Sequence, residues 1–368
     1  MRGNNMFYFL LILSFITAYS KNPPLKKPIK IGVLFPLTGE VAAYGQETLK
    51  GFELGMNSID NKSDFEWQVE NSLGTTQGSV QGINNLILNY KAQIILGDIL
   101  TRGTLASAPI AARYKIPMLT PASTGDHVTE SQDGLYRICY KDAFQGKKVA
   151  EFAFDFFKIN NVVILMDGHN EYSRQVSKSF KKEWISRKGT VLSEISYGNQ
   201  NFQSVASRVK KLQSQPFIIF IPGYPQQVGP LLKELQVVQI KAPIIGADGW
   251  DSVDLMPLAG TGYPDHYFVS HYSRDTNSPL IQRFQSDFRK KYSTSPGLFA
   301  ALGYDSALAI QKVFAQNQKP DSKKFFQGVS LEGVTGKISW DKTPDPIKEA
   351  FILKTTPLGE VLFKKIGF

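Results

Sequence analysis

The chain has 368 residues and a formal net charge of +10, with 42% hydrophobic and 20% charged residues. That length predicts two domains, and the balance excludes a disordered or low-complexity chain. The basic excess is spread in short pairs such as Lys147-Lys148, Lys181-Lys182 and Lys290-Lys291, which read as solvated helix faces and not as a nucleic-acid stripe. Cys139 is the single cysteine, so no disulfide can form within the chain.

Residues 1–20 read as a secretory signal peptide. Arg2 supplies a positive start, Met6 to Ile16 is an apolar run, and Ala18 and Ser20 give small residues at a cleavage site. The run is too short to span a bilayer comfortably. The mature chain then begins as alternating strands and helices. Ile31 to Phe35 is the first strand, and a helix runs from about Gln46 to Ile59. Trp67 to Glu70 is the second strand, and Ser79 to Tyr90 has apolar residues at helical spacing.

The stretch from Lys91 to Gly125 organises the rest. Ile94-Ile95-Leu96 breaks at Gly97 and leads into Thr101-Arg102-Gly103-Thr104. A small-residue helix follows from Leu105 to Tyr114, with Thr104 as its expected cap. Pro117-Met118-Leu119 is the next strand, ending in Thr120-Pro121-Ala122-Ser123-Thr124-Gly125. Parallel strands joined by a helix put both polar loops on one sheet edge, where open α/β sheets bind ligands.

From Asn161 the alternation starts again. Strands are expected at Val162 to Met166, Val191 to Tyr197, Pro216 to Ile221 and Pro243 to Gly246, with helices between them. A further strand at Tyr267 to Val269 precedes two long helices, a short one at Lys323 to Gly328, and late strands near Gly336, Lys348 and Val361. Helices arriving after two complete sheets imply that the chain returns to the first lobe and then crosses to the second. A hinged cleft results.

The chain lacks the zinc-protease, redox-cysteine, nucleophile-elbow and dinucleotide motifs. Gly333-Val334-Thr335-Gly336-Lys337 looks like part of a phosphate loop, but Leu331 and Ile338 stand where that motif needs Gly and Ser or Thr. His127, His169, His266 and His271 show no metal-ligand spacing. An enzyme is not expected, and neither is a cofactor.

Several segments in this order resemble the branched-chain (Leu/Ile/Val) amino-acid binding proteins of ATP-driven (ABC) importers, the type I periplasmic solute receptors. They are Ile31 to Gly39 with Tyr44-Gly45, Ile95-Leu96-Gly97, and Pro117 to Thr124. Further on come Asp167 with Tyr172, Pro222-Gly223-Tyr224, Gly246 to Trp250, and Gly303-Tyr304-Asp305-Ser306. The resemblance implies an α/β fold of two doubly wound lobes joined by a three-strand hinge. The N-terminal lobe would take residues 28–140 plus 272–340, and the C-terminal lobe 141–271 plus 341–368. It implies an exported, periplasmic solute-binding protein with a leucine-binding domain, serving amino-acid transport with membrane permease subunits as partners. A sensory receptor of the same fold that binds an amide or other small polar solute is the alternative. Carried over position by position, the ligand's carboxylate would meet Thr101, Ala122, Ser123 and Thr124, and its ammonium group Asp248. Tyr44, Tyr172 and Tyr224 would cover it. The chain departs from the pattern at Leu100-Thr101-Arg102, where a Ser-rich loop is usual, and at Asp248, where the branched-chain binders carry Glu. Arg102 adds a cation near the expected carboxylate end.

Overall fold

The computed structural model describes residues 27–58, 64–198, 201–260, 265–275, 278–316, 322–356 and 359–367. The segment read as a signal peptide lies outside them. Among the described residues no helix is long and apolar enough to cross a membrane.

The first sheet is built from β1 (Ile29–Phe35), β2 (Phe65–Asn71), β3 (Ile94–Gly97), β4 (Met118–Thr120) and β5 (Leu135–Arg137), all parallel, in the order β2-β1-β3-β4-β5. Its crossovers are α1 (Ala42–Met56), α2 (Thr76–Asn85) with a π-helical extension at Leu86–Tyr90, and α3 (Thr101–Arg113). The apolar runs of β1 and β3 are buried on both faces, as parallel strands between helical layers must be. α3 starts earlier than its sequence suggests. Leu100 is the N-cap residue and makes no side-chain cap. Thr104 lies inside the helix, and its hydroxyl donates to the Asp98 carbonyl at 2.9 Å. β5 was not anticipated, because its three residues include Arg137, a fully buried cation.

α4 (Asp142–Phe157) opens the second unit. Its sheet holds β6 (Asn161–Met166), β7 (Thr190–Ser196), β8 (Ile218–Ile221), β9 (Ile244–Gly246) and β10 (Tyr267–Ser270), with α5 (Glu171–Ser186), α6 (Phe202–Lys210), α7 (Pro225–Val237) and α8 (Leu255–Ala259) between them. The parallel part runs β7-β6-β8-β9-β10, the same winding as the first sheet. After β10 the chain returns. α9 (Pro279–Tyr292) and α10 (Leu298–Ala315) join the first core, where Phe284, Tyr304 and Ile310 share a cluster with β1 and β3 residues. Gly51 permits this packing, because a Cβ there would sit 1.9 Å from the Ala300 carbonyl oxygen. β11 (Ser330–Gly333), β12 (Gly336–Ser339) and β13 (Ile347–Lys348) make a small antiparallel sheet, and the expected helix near Lys323 is a single 3-10 turn. Finally β14 (Ala350–Thr356) and β15 (Gly359–Ile366) add two antiparallel strands to the second sheet.

The chain therefore passes between the sheets after β5, after β10 and between β13 and β14. Polar contacts bind two of these passages together. Arg137 Nε lies 2.8 Å from Asp345 Oδ1, Lys141 Nζ lies 2.6 Å from Asp345 Oδ2, and the Trp340 indole donates to the Arg137 carbonyl at 3.1 Å.

Candidate functional site

In both sheets the strand order reverses beside the first strand, and ligands of such folds meet the carboxyl ends of the strands there. The loops after those ends face each other. Tyr44 follows β1, Leu100 follows β3, and Ala122 and Thr124 follow β4. Opposite them, Tyr172 follows β6, Tyr224 follows β8, Asp248 follows β9 and His271 follows β10. These residues, with Ile99, Gly249 and the α10 residues Leu298, Phe299 and Leu302, enclose a cavity of about 30 Å³. That is room for no more than about two waters, so a larger solute needs the walls to part. The walls touch directly: Tyr44 and Tyr224 have ring centroids 6.0 Å apart, and Gln175 Oε1 accepts from Asp126 N at 3.0 Å. A wider groove of about 830 Å³ between α4 and α5 is lined by mostly exposed charged and polar side chains such as Lys147, Arg174 and Glu183. It lacks the convergent buried groups of the smaller cavity.

Three aromatic contacts shape the cavity. Tyr44 stacks on Phe299 at 4.2 Å, Tyr172 stacks on Tyr224 at 5.2 Å, and His271 stacks on Tyr140 at 3.4 Å. Asp248 is the acidic member of the lining. Its Oδ1 accepts from the Tyr172 hydroxyl at 2.6 Å, and its Oδ2 lies 3.2 Å from His271 Nε2. The Tyr172 oxygen in turn accepts from Gly249 N at 2.9 Å. Glycine is needed there, because a Cβ on Gly249 would crowd the Gly223 carbonyl oxygen at 2.7 Å. Behind Asp248, its backbone N–H donates to Gln145 Oε1 at 3.2 Å, and Gln145 Nε2 donates to Asp142 Oδ1 at 2.8 Å. Burial, and then the charge of Asp248, push the Asp142 carboxyl well above the usual carboxylate range. Burial pulls the His271 imidazole down to about 4, so it is neutral at neutral pH. The cavity lining holds no Lys or Arg.

Six of the eight candidate site residues meet in this lining: Tyr44, Ala122, Thr124, Tyr172, Tyr224 and Asp248. Thr101 and Ser123 stand behind it. Thr101 Oγ1 accepts from Gly125 N at 3.3 Å, and Ser123 Oγ lies within hydrogen-bond distance of Thr104 Oγ1 and, at 3.1 Å, of the Asp98 carbonyl oxygen. Both hydroxyls therefore brace the loops. Arg102 also stays out, its Nε donating to the Gly74 carbonyl at 3.0 Å on an exposed side chain. Sequence reasoning missed His271, whose signal was its place after a strand end, and the apolar wall from α10. Among the described residues no cluster of His, Cys, Asp and Glu suits a metal ion.

Comparison with known proteins gives a consistent result. A family model described as periplasmic binding protein matches residues 28–352. The Leu/Ile/Val-binding protein of Citrobacter freundii is 23% identical over 346 residues, covering 91% of this chain and 92% of the relative. A branched-chain amino acid transporter substrate binding protein from Streptococcus pneumoniae, solved in complex with isoleucine, superposes with a TM-score of 0.83 at 25% identity, covering 92% of this chain and 100% of that one. A solute binding protein of an ABC transporter from Rhodopseudomonas palustris, in complex with 3,4-dihydroxybenzoic acid, superposes with a TM-score of 0.82 at 22% identity, covering 93% and 98%.

Proposed function

The chain belongs to the periplasmic binding protein family, and from that premise we propose that it receives a free amino acid, branched-chain or closely related, in the cavity between its two sheets. It is a solute receptor of an ABC transporter and not an enzyme, and its α/β fold is the type I arrangement. The ligand is the open question, since relatives of this fold hold either aliphatic amino acids or aromatic acids.

One observation carries the choice. Asp248 is the carboxyl group lining a cavity that offers no cationic side chain. A benzoate-like anion could use the same donors for its carboxylate, but it would bring Asp248 no cation and would leave the cavity with two acidic groups and no positive charge. A zwitterion instead brings an ammonium group to Asp248. Its own carboxylate then falls to the opposite wall, where Ala122 and Thr124 provide backbone and hydroxyl groups and Thr101 and Ser123 hold those loops. Tyr44, Tyr172 and Tyr224 close over the ligand. Splitting acceptor and donors between the two walls makes the closed form the one that satisfies both ends, so ligand shifts the equilibrium towards closure. The lobes that close are residues 28–140 plus 272–340 and 141–271 plus 341–368. Residues 1–20 direct export to the periplasm, and the membrane permease subunits read the closed form.

The test is a thermal-shift screen of the protein from Lys21 onward, stripped of ligand by unfolding and refolding, against the common amino acids, small amides and hydroxybenzoates. One class of aliphatic amino acids should raise Tm, and Asp248→Ala should weaken its binding about 100-fold or more. A response to hydroxybenzoates alone, or unchanged affinity in Asp248→Ala, overturns the reading.

A further inference from the structure

Building on the amino-acid reading, we infer that His271 is a positioning residue of the site: its Nε2–H fixes Asp248 Oδ2 for the ligand's ammonium group and anchors that carboxylate to the segments where the chain passes between its sheets. His271 is 1% exposed and begins the passage after β10. Its ring lies on that of Tyr140, with 18° between the planes, and Tyr140 belongs to the passage after β5. Two of the three passages thus meet at this ring.

The protonation pattern follows from the contacts. Nδ1 is buried and has no hydrogen-bond partner among the described residues, whereas Nε2 faces a carboxylate oxygen at 3.2 Å. A neutral imidazole has one N–H, and the proton belongs where an acceptor waits. With the Tyr172 hydroxyl on Oδ1, each carboxylate oxygen then has one donor, and each keeps lone-pair capacity for an ammonium group. A short aspartate has little reach of its own, so its two side-chain donors set where it presents its charge.

The experiment compares His271→Gln with His271→Met, two side chains of equal length of which one carries an amide N–H. Isothermal titration with L-leucine, L-isoleucine, L-valine and L-alanine gives the affinities, and unliganded melting gives the fold. His271→Met should lose about tenfold or more in affinity, while His271→Gln stays within a few-fold of wild type and the two unliganded proteins melt alike. His271→Phe, which keeps the stack on Tyr140 but has no N–H, should bind as weakly as His271→Met, and it replaces that variant should Met not fold. The inference is overturned by Met and Phe variants that bind like wild type, or by a Gln variant as weak as they are. Wild-type protein that binds none of the four amino acids overturns the amino-acid reading and this inference together.

Discussion

Asp248 and Asp305 are both buried, and the molecule holds them in opposite ways. Asp305, on α10, gives both oxygens to one turn: Oδ1 accepts from Val334 N at 2.7 Å, and Oδ2 accepts from Thr335 N at 2.9 Å and Thr335 Oγ1 at 2.6 Å. Lys348 Nζ donates to the same Thr335 Oγ1 at 2.8 Å, bringing a cation one hydroxyl away. Asp248 has one side-chain donor on each oxygen and a cavity in front. A carboxylate wrapped by backbone N–H groups is closed into the architecture. One held only by side chains beside a void keeps capacity for something that arrives. The comparison also explains the look-alike phosphate loop. The turn at 333–336 does aim backbone N–H groups at an anion, but the anion is the chain's own Asp305.

The largest effect should come from breaking the architectural carboxylate. Asp305→Ala strands two backbone donors and leaves Lys348 buried without its counter-charge, at a cost of about 3–5 kcal/mol. Urea unfolding should show that loss, while amino-acid affinity of the folded protein stays at the wild-type level. An Asp305→Ala variant that unfolds with wild type would erase the distinction between the two aspartates.

A smaller effect lies in Lys348, the partner that Asp248 lacks. Burial pulls its ammonium group from 10.5 down to about 8. The folded chain therefore gives up this proton before the unfolded chain does. Between those pH values the unfolded state binds more protons, so this group makes stability rise with pH; below the folded value its cost is constant. Lys348→Met removes the rise. The stability difference between wild type and Lys348→Met should shift by roughly 2 kcal/mol in favour of wild type from pH 8 to pH 10. A flat difference would mean that the lysine keeps its proton in the fold as readily as in the unfolded chain, held charged by water or by Asp305.

How much of this was legible in the sequence follows the range of each interaction. The parallel strands were readable because a buried strand writes its environment locally, as Ile94-Ile95-Leu96 does. β5 was not, because Arg137 breaks the apolar run and its partner, Asp345, lies far along the chain. The start of α3 was misplaced because local chemistry makes Thr104 a cap, whereas its hydroxyl serves the Asp98 carbonyl. Six site residues were named from the resemblance and do line one cavity. The order of hydroxyls along the Thr120 to Thr124 loop says nothing about which turn inward, so Ser123 and Thr124 were indistinguishable. His271 and Phe299 were invisible because a strand-end histidine and a helical phenylalanine in an apolar stretch each have a blander explanation.

The finest test of the comparison is Tyr172→Phe. The ring stays in place, stacked on Tyr224 with 13° between the planes, and only the oxygen is lost. With it go the donor to Asp248 Oδ1 and the acceptor of Gly249 N. A hydrogen bond to a charged group is worth about 1.5 kcal/mol or somewhat more, so amino-acid affinity should fall roughly tenfold by titration. The unliganded melting temperature should drop by only a few degrees, because one buried N–H loses its partner while the packing is kept. Asp305 has no equivalent lever, since its donors are mostly backbone. If Tyr172→Phe binds as tightly as wild type, then side-chain donors do not set where Asp248 presents its charge, and burial beside a cavity is all that separates it from Asp305.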